Sequence, residues 1–190
     1  DDVVVAFSCE EDACRVMEVL PKRFGKYGLT LHPEKTRLVE FCRPDRRPPD
    51  EGGSAGRPGT FDLLGFTHFW GLSRKGKWVV RRKTAKDRLS RALARANEWC
   101  RRNRHRSVRE QWQVLSQKLR GHYGYFGIIG NSDCIVSFFE RVKRLWRKWL
   151  DRRSQRSGMN WERMNRLLER YSLPPPRIRQ PYCAPHVANP

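Results

Sequence analysis

The feature that most constrains this chain is a change of hydrophobic period near residue 82. Before it, short β-branched and aromatic runs alternate with turn residues. After it, apolar side chains recur three and four apart through four successive stretches. Leu89, Leu93, Ala96 and Cys100 form one stripe, and Trp112, Leu115, Leu119, Tyr123 and Phe126 a second. Ile135, Phe139, Val142, Trp146 and Trp149 form a third, and Trp161, Met164, Leu168 and Tyr171 a fourth. Such spacing puts the apolar groups on one side of a helix, so a small helical bundle is expected over residues 83–176. The tetrapeptide Thr84-Ala85-Lys86-Asp87 has the form of a capping box, and Ser107-Val108-Arg109-Glu110 opens the second helix. Asn131 or Ser132, and Asn160, are candidate caps for the later helices. Pro174-Pro175-Pro176 stops the pattern, and the tail over 177–190 shows no period.

The first 82 residues read differently. Residues 3–7, VVVAF, predict a buried strand. Ser8-Cys9-Glu10-Glu11 has the capping-box form and opens a helix bearing Ala13, Val16, Met17, Leu20 and Phe24, with an interruption expected at Pro21 and a left-handed end at Gly25 or Gly28. Residues 36–41 predict a second strand. Residues 43–60 are Pro- and Gly-rich and predict an exposed loop. Residues 61–66 and 67–71 read as strand, and Lys77-Trp78-Val79-Val80 as its return, with Ser73-Arg74-Lys75-Gly76 as the turn. The expected class is α+β: strand, helix, strand and hairpin, followed by helices.

Charge follows the same division. The 190 residues hold 40 Lys and Arg against 20 Asp and Glu, a net of +20, but residues 1–42 hold 6 basic and 8 acidic groups. The excess lies in runs such as Arg81-Arg82-Lys83, Arg101-Arg102-Asn103-Arg104-His105-Arg106 and Arg141, Lys143, Arg144, Arg147 and Lys148. A solvated face is the ordinary meaning of one such run. Here carboxylates for intrahelical pairing are few, so the runs are expected to face phosphates. Nucleic acid is the expected partner, ahead of an anionic membrane surface. Seven Trp and nine Phe exclude plain disorder, and no run of about 18 apolar residues suggests a membrane span. The six cysteines form no C-x-x-C pair, which argues against a zinc ribbon. Reduced thiols and a cytoplasmic setting are expected, without a signal peptide. The five histidines form no ligand spacing.

Asp1-Asp2 precedes the first apolar run. Adjacent carboxylates repel unless a cation lies between them, and Mg2+ is an oxygen-seeking ion held by one or two carboxylates plus substrate phosphates. A solvated chain terminus is the plainer reading of two aspartates alone. The order DDVVVAFS, a helix, GLTLHPEKTRLVEF, a loop, FDLLGFTHFWG and a basic helical region resembles the reverse transcriptase/maturase encoded by group II introns. The resemblance continues through LRGHYGYFGI, WERMNRLLERY and LPPPRI to about Ile178. That family carries an aromatic–Ala–Asp–Asp tetrad in a palm hairpin, and this chain begins at the third letter.

The resemblance implies the C-terminal part of a right-hand polymerase palm over 1–82 and a thumb, or maturase-specific domain, over 83–176. It implies RNA-directed DNA synthesis by a two-magnesium mechanism, with Asp1 as the main metal ligand and Asp2 its neighbour. Lys35 would lie near the departing pyrophosphate, or be an ordinary surface lysine in a turn. Leu64-Gly65-Phe66 would lie near the primer terminus. Gly65 would let backbone approach the primer, or mark a strand bulge. Arg81, Arg82, Lys83, Arg101, Arg102, Arg104, Arg144, Arg147 and Lys148 would hold nucleic acid. The implied partners are intron RNA, an RNA template with a DNA primer, and deoxynucleotides, in a bacterial cytoplasm associated with nucleoid or RNA. The family's upstream metal-binding strand and its fingers are absent from the sequence, so the fragment alone is expected not to polymerise. The rival expectation is a non-catalytic RNA-binding maturase remnant. Trp70 and Trp78, beside basic residues, read either as base-stacking rings or as a cross-strand pair. The Trp and Tyr of the helical stripes read as core.

Overall fold

The structure is a computed structural model, and it describes residues 3–33, 35–44, 59–153 and 158–178. The chain divides into two compact units, Asp1–Arg81 and Arg82–Pro190. The division falls within one residue of the period change in the sequence.

In the first unit, helix α1 spans Glu10–Gly25 with Glu10, Glu11 and Asp12 in its first turn and Lys22 and Arg23 in its last. Both sets oppose the charge of the helix end they occupy. Its N-cap is Cys9 without a side-chain bond, so the expected Ser8 capping box does not form. The expected interruption at Pro21 is also absent. The helix runs through it, and Pro21 only withholds the bond that the carbonyl of Met17 would receive. Gly28, at φ 68°, supplies the expected left-handed turn.

Strands β1 (Phe61–Leu63), β2 (Phe66–Leu72) and β3 (Trp78–Thr84) form one sheet in the order β1-β2-β3. β1 and β2 are antiparallel, with Leu63 opposite Phe66 and Phe61 opposite His68. Only Leu64 and Gly65 connect them, at φ 50° and 80°. Two consecutive positive φ values define the tight turn whose twist suits a two-residue hairpin. Residues 61–66 are therefore not one strand, and Gly65 is neither a bulge nor a kink but the second residue of a reversal. At the other end of β2, Ser73 N donates to the Lys77 carbonyl at 2.8 Å, and Gly76 at φ 71° closes the expected turn.

Two expected strands do not enter the sheet. Residues 3–7 pair with nothing among the described residues, and Val3 and Val5 are 78% and 60% exposed. An apolar run becomes a strand only when neighbouring backbone takes its N–H and C=O groups. At the end of residues 36–41, Phe41 is held instead by ring contacts. Phe41 stacks on Trp70 at 5.5 Å, meets Phe61 edge-on at 4.9 Å, and its carbonyl accepts from the Trp70 indole at 3.3 Å. Trp70 is thus committed to Phe41 rather than to Trp78.

The second unit contains α2 (Lys86–Arg102), α3 (Val108–Phe126), α4 (Ser132–Asp151) and α5 (Trp161–Arg170). The helical stripes meet in one core around Leu115, Leu119, Ile135, Val142, Trp146, Leu150 and Met164. Ser107 and Asn160 cap α3 and α5 as expected, accepting from Glu110 N and Arg163 N. Thr84 does not cap α2. It is buried in a reciprocal pair with Asn131, whose Oδ1 accepts from Thr84 N and whose Nδ2 donates to Thr84 Oγ1, both at 2.8 Å. Asn131 Nδ2 also donates to the Phe126 carbonyl. Phe138, rather than Phe139, is the buried member of its pair, and Trp161 is 41% exposed rather than inward. Residues 171–178 run back along α3. Trp112 donates to the Ser172 carbonyl at 2.8 Å and the Tyr123 hydroxyl to the Pro174 carbonyl at 3.2 Å. Gly127 permits this crossing, because a Cβ there would lie 2.8 Å from the Arg177 carbonyl.

Candidate nucleic-acid interface

The buried stripe of α4 leaves its other face to cations. Arg141, Arg144 and Lys148 fall three and four residues apart, so they share one edge of the helix. That edge borders a shallow, open groove of about 400 Å³ between α2 and α4. Leu93, Ala94 and Leu145 form its apolar lining, and no carboxylate contributes to it. Asn97 is its remaining polar group. The Trp149 indole donates to Asn97 Oδ1 at 2.8 Å. An indole N–H can only donate, so this bond fixes the amide's orientation and leaves Asn97 Nδ2 as the donor end. Lys148 lies 5.4 Å from the Trp149 ring, a placement that steadies the ammonium without neutralising it.

The second cationic feature is the corner between α2 and α3. Gln111 sits in the core row of α3, four residues before Leu115, and is 1% exposed. Its Nε2 lies 3.0, 3.2 and 3.0 Å from the carbonyls of Asn103, Arg104 and Arg106. Its Oε1 accepts from the Trp146 indole at 2.9 Å. Arg153 donates to the carbonyls of Arg104 and Arg106 as well. The corner therefore turns its acceptors inward, and Arg101, Arg102, His105 and Arg106 are exposed. Gln111 and Arg153 were not singled out from sequence. The available signal was an amide at a position where the stripe called for an apolar group.

The individual residues divide as follows. Arg141, Arg144 and Lys148, from one basic run of the sequence, line the groove together with Asn97, which the sequence did not nominate. Arg101 and Arg102 both bond Glu98, at 2.9 and 2.6 Å, so this run shares one of the few carboxylates available to it. The hydrogen bond from Arg101 holds the Glu98 carboxyl below its usual pKa. These pairs are exposed, and exposed pairs are weak enough for a phosphate to displace. Arg104 bonds His105 Nε2 at 3.0 Å and the Arg101 carbonyl at 3.4 Å, so it belongs to the corner's framework. Arg147 is a correction. It donates to the Met159 carbonyl at 2.8 Å and lies 4.7 Å from the Trp161 ring, tying the start of α5 to α4 rather than facing a phosphate.

Lys83 is exposed and Arg82 half-buried. In the first unit, Arg81 lies 6.0 Å from the Phe69 ring, and a Cβ at Gly71 would be 2.6 Å from its Cδ. Its stem thus crosses the sheet while its head stays wet. Leu64, Gly65 and Phe66 occupy the β1–β2 reversal, with the Leu64 side chain 60% exposed. Lys35 is exposed in a turn where its N–H donates to the His32 carbonyl at 3.2 Å, the setting of a surface lysine. Asp1 and Asp2, the expected magnesium ligands, lie outside the described residues.

No family model, curated protein or solved structure matches this chain. Among the described residues no group of three or more His, Cys, Asp or Glu is placed to hold a metal. Nor is any of their helices long and apolar enough to cross a membrane. Cys9, Cys14, Cys42, Cys100 and Cys134 are free thiols, and burial pushes Cys100 up to about 12.

Proposed function

We propose that this chain binds RNA through its phosphates, using the unit Arg82–Pro190, and that it does so as the palm-end and thumb of a reverse transcriptase/maturase of the group II intron kind. The observation that carries the binding reading is the groove edge of Arg141, Arg144 and Lys148, which includes no carboxylate. Such contacts hold a polyanion and release its counterions without reading sequence. The resemblance supplies the rest of the reading. It is supported by the order of a tight Leu64-Gly65 hairpin followed by a cationic helical unit. Template–primer and intron RNA are then the proposed ligands. Magnesium at Asp1 and Asp2 would serve the attack of a primer 3′-hydroxyl on the α-phosphate of a deoxynucleotide.

The binding test is affinity for a structured RNA across salt concentration. The expected result is a linear fall of log K with log salt. In the triple variant Arg141→Gln, Arg144→Gln, Lys148→Gln, the slope should shrink by about 2 to 3, because each lost phosphate contact removes about 0.7–0.9. A salt-independent affinity, or a triple variant with the parent slope, refutes the assignment. The catalytic part is tested separately by magnesium-dependent extension of an RNA-templated primer, comparing the parent with Asp1→Asn, Asp2→Asn.

A further inference from the structure

The carbonyl end of a helix is a poor seat for an anion, because its free C=O groups carry partial negative charge. α2 ends at Arg102, inside a stretch that places four arginines in the six residues 101–106. Whether those arginines can receive a phosphate depends on what becomes of the carbonyls beside them. The Trp99 carbonyl accepts from Asn103 N at 3.0 Å and from Asn103 Nδ2 at 2.8 Å. The Arg101 carbonyl accepts from Arg104 Nη1 at 3.4 Å. Gln111 takes the carbonyls of Asn103, Arg104 and Arg106, and Arg153 shares the last two.

The arginines at the end of α2 already hold an oxyanion. Arg101 grips Glu98 with Nε on one carboxylate oxygen and Nη2 on the other, both at 2.9 Å. Arg102 Nε donates to the second of these oxygens at 2.6 Å. A guanidinium fork fits carboxylate and phosphate alike, so the Glu98 carboxylate marks where phosphate oxygens would lie. The side chains of Arg101, Arg102 and Glu98 are 53%, 75% and 37% exposed. Pairs this wet contribute little and exchange readily with a competing anion. The exposed side chains of the corner include Arg101, Arg102, His105, Arg106 and Ser107, none of them apolar. Nothing among them is suited to entering a bilayer.

We infer that the α2–α3 corner is a second surface for the phosphate backbone of RNA, separate from the α4 edge, and that Glu98 holds the place of a phosphate until RNA displaces it. This rests on the RNA-binding reading and adds to it a site with a built-in competitor.

The test measures the affinity of the full chain for an RNA hairpin across salt concentration. Glu98→Gln keeps the shape of the side chain and removes its charge. It should bind about fivefold more tightly than the parent, the gain from releasing two weak exposed pairs. Asp133→Asn removes the same charge at the start of α4, while Arg153, just past the end of that helix, bonds the corner. The two ends lie about 28 Å apart, well beyond the screening length at physiological salt, so Asp133→Asn should change affinity less than about twofold. In the triple variant Arg101→Gln, Arg102→Gln, Arg106→Gln, the slope of log K against log salt should shrink by about 2 to 3. These side chains are exposed, so helical circular dichroism should be unchanged. A corner variant with the parent slope, or Glu98→Gln binding no tighter than Asp133→Asn, overturns the inference. RNA binding through the α4 edge then stands if the substitutions there still lower the slope. Absence of salt-dependent binding by the parent overturns both. Phosphatidylglycerol vesicles that lose affinity for the corner variant, while RNA does not, give the surface to a membrane and overturn the inference.

Discussion

The two units contain similar kinds of apolar residue and use them in opposite ways. In Asp1–Arg81 the buried apolar residues reduce to Ala13 among those described, while Val3, Val5, Tyr27 and Leu29 are all more than half exposed. In Arg82–Pro190 the four helices bury Trp146, Leu115, Leu119, Ile135 and Met164 almost completely. The difference is one of what each element requires. A helix satisfies its own backbone and needs only a neighbour for its stripe. A strand needs another strand before its side chains have a face to cover. Charge divides in parallel. The first unit carries 14 basic and 12 acidic residues, near balance, and the second 26 and 8. The unit with the stronger self-repulsion is the one with the larger buried core among the described residues.

The sharpest way to break this comparison is a matched pair of substitutions. Trp146→Ala removes a fully buried ring and leaves the Gln111 acceptor unpaired, and should destabilise the helical unit by about 3–5 kcal/mol. Val3→Ser should change stability by less than about 0.5 kcal/mol. Urea unfolding followed by helical circular dichroism measures both. A large loss at Val3 would show that the first unit has a core after all.

Next in size is Asn131→Leu. It strips partners from Thr84 N, Thr84 Oγ1 and the Phe126 carbonyl at once. The cost should be about 2–3 kcal/mol, since these groups are buried or part-buried and left unsatisfied. Thr84→Val, which removes one of the three bonds, should cost less. Equal losses would mean that Asn131 acts through volume alone.

The smallest effect is a pH dependence confined to the helical unit. His122 stacks on Phe138 at 3.8 Å and meets Phe126 at a tilt at 4.7 Å, and burial pushes its pKa from 6.5 down to about 4. A lowered pKa means that the unfolded chain binds the proton first. Stability from neutral His122 is therefore full above about pH 6.5 and is lost as pH falls toward about 4. His122→Phe should flatten that part of the curve, measured as urea midpoint against pH. An unchanged curve would assign the slope to carboxylates.

The helical unit was legible because its signal is local. Period, caps at Ser107 and Asn160, and the stop at Pro174 each follow from a few neighbouring residues. The hairpin turn at residues 73–76 was legible for the same reason. What sequence missed depends on contacts far along the chain. Thr84 looks like a cap until Asn131, 47 residues later, takes it. Trp161 looks like a stripe residue until Arg147 covers its ring. Residues 3–7 look buried because valines usually are, yet burial needs a partner strand that short-range pattern cannot supply. The turn at Leu64 was missed for a subtler reason, since a leucine at φ 50° contradicts its own preference, and only the two-residue spacing between β1 and β2 imposes it. In the candidate site, sequence found the cations and not the amides, because charge is visible residue by residue, whereas the role of Asn97 or Gln111 depends on which indole faces it.

The inverted corner between α2 and α3 has a thermodynamic consequence. A flexible arginine-rich segment gives up chain entropy each time it closes on a nucleic acid. Gln111 and Arg153 have already frozen this backbone during folding, so a strand docking there loses only side-chain freedom. Association at this corner should carry a smaller unfavourable entropy than the same arginines would show in an unstructured peptide.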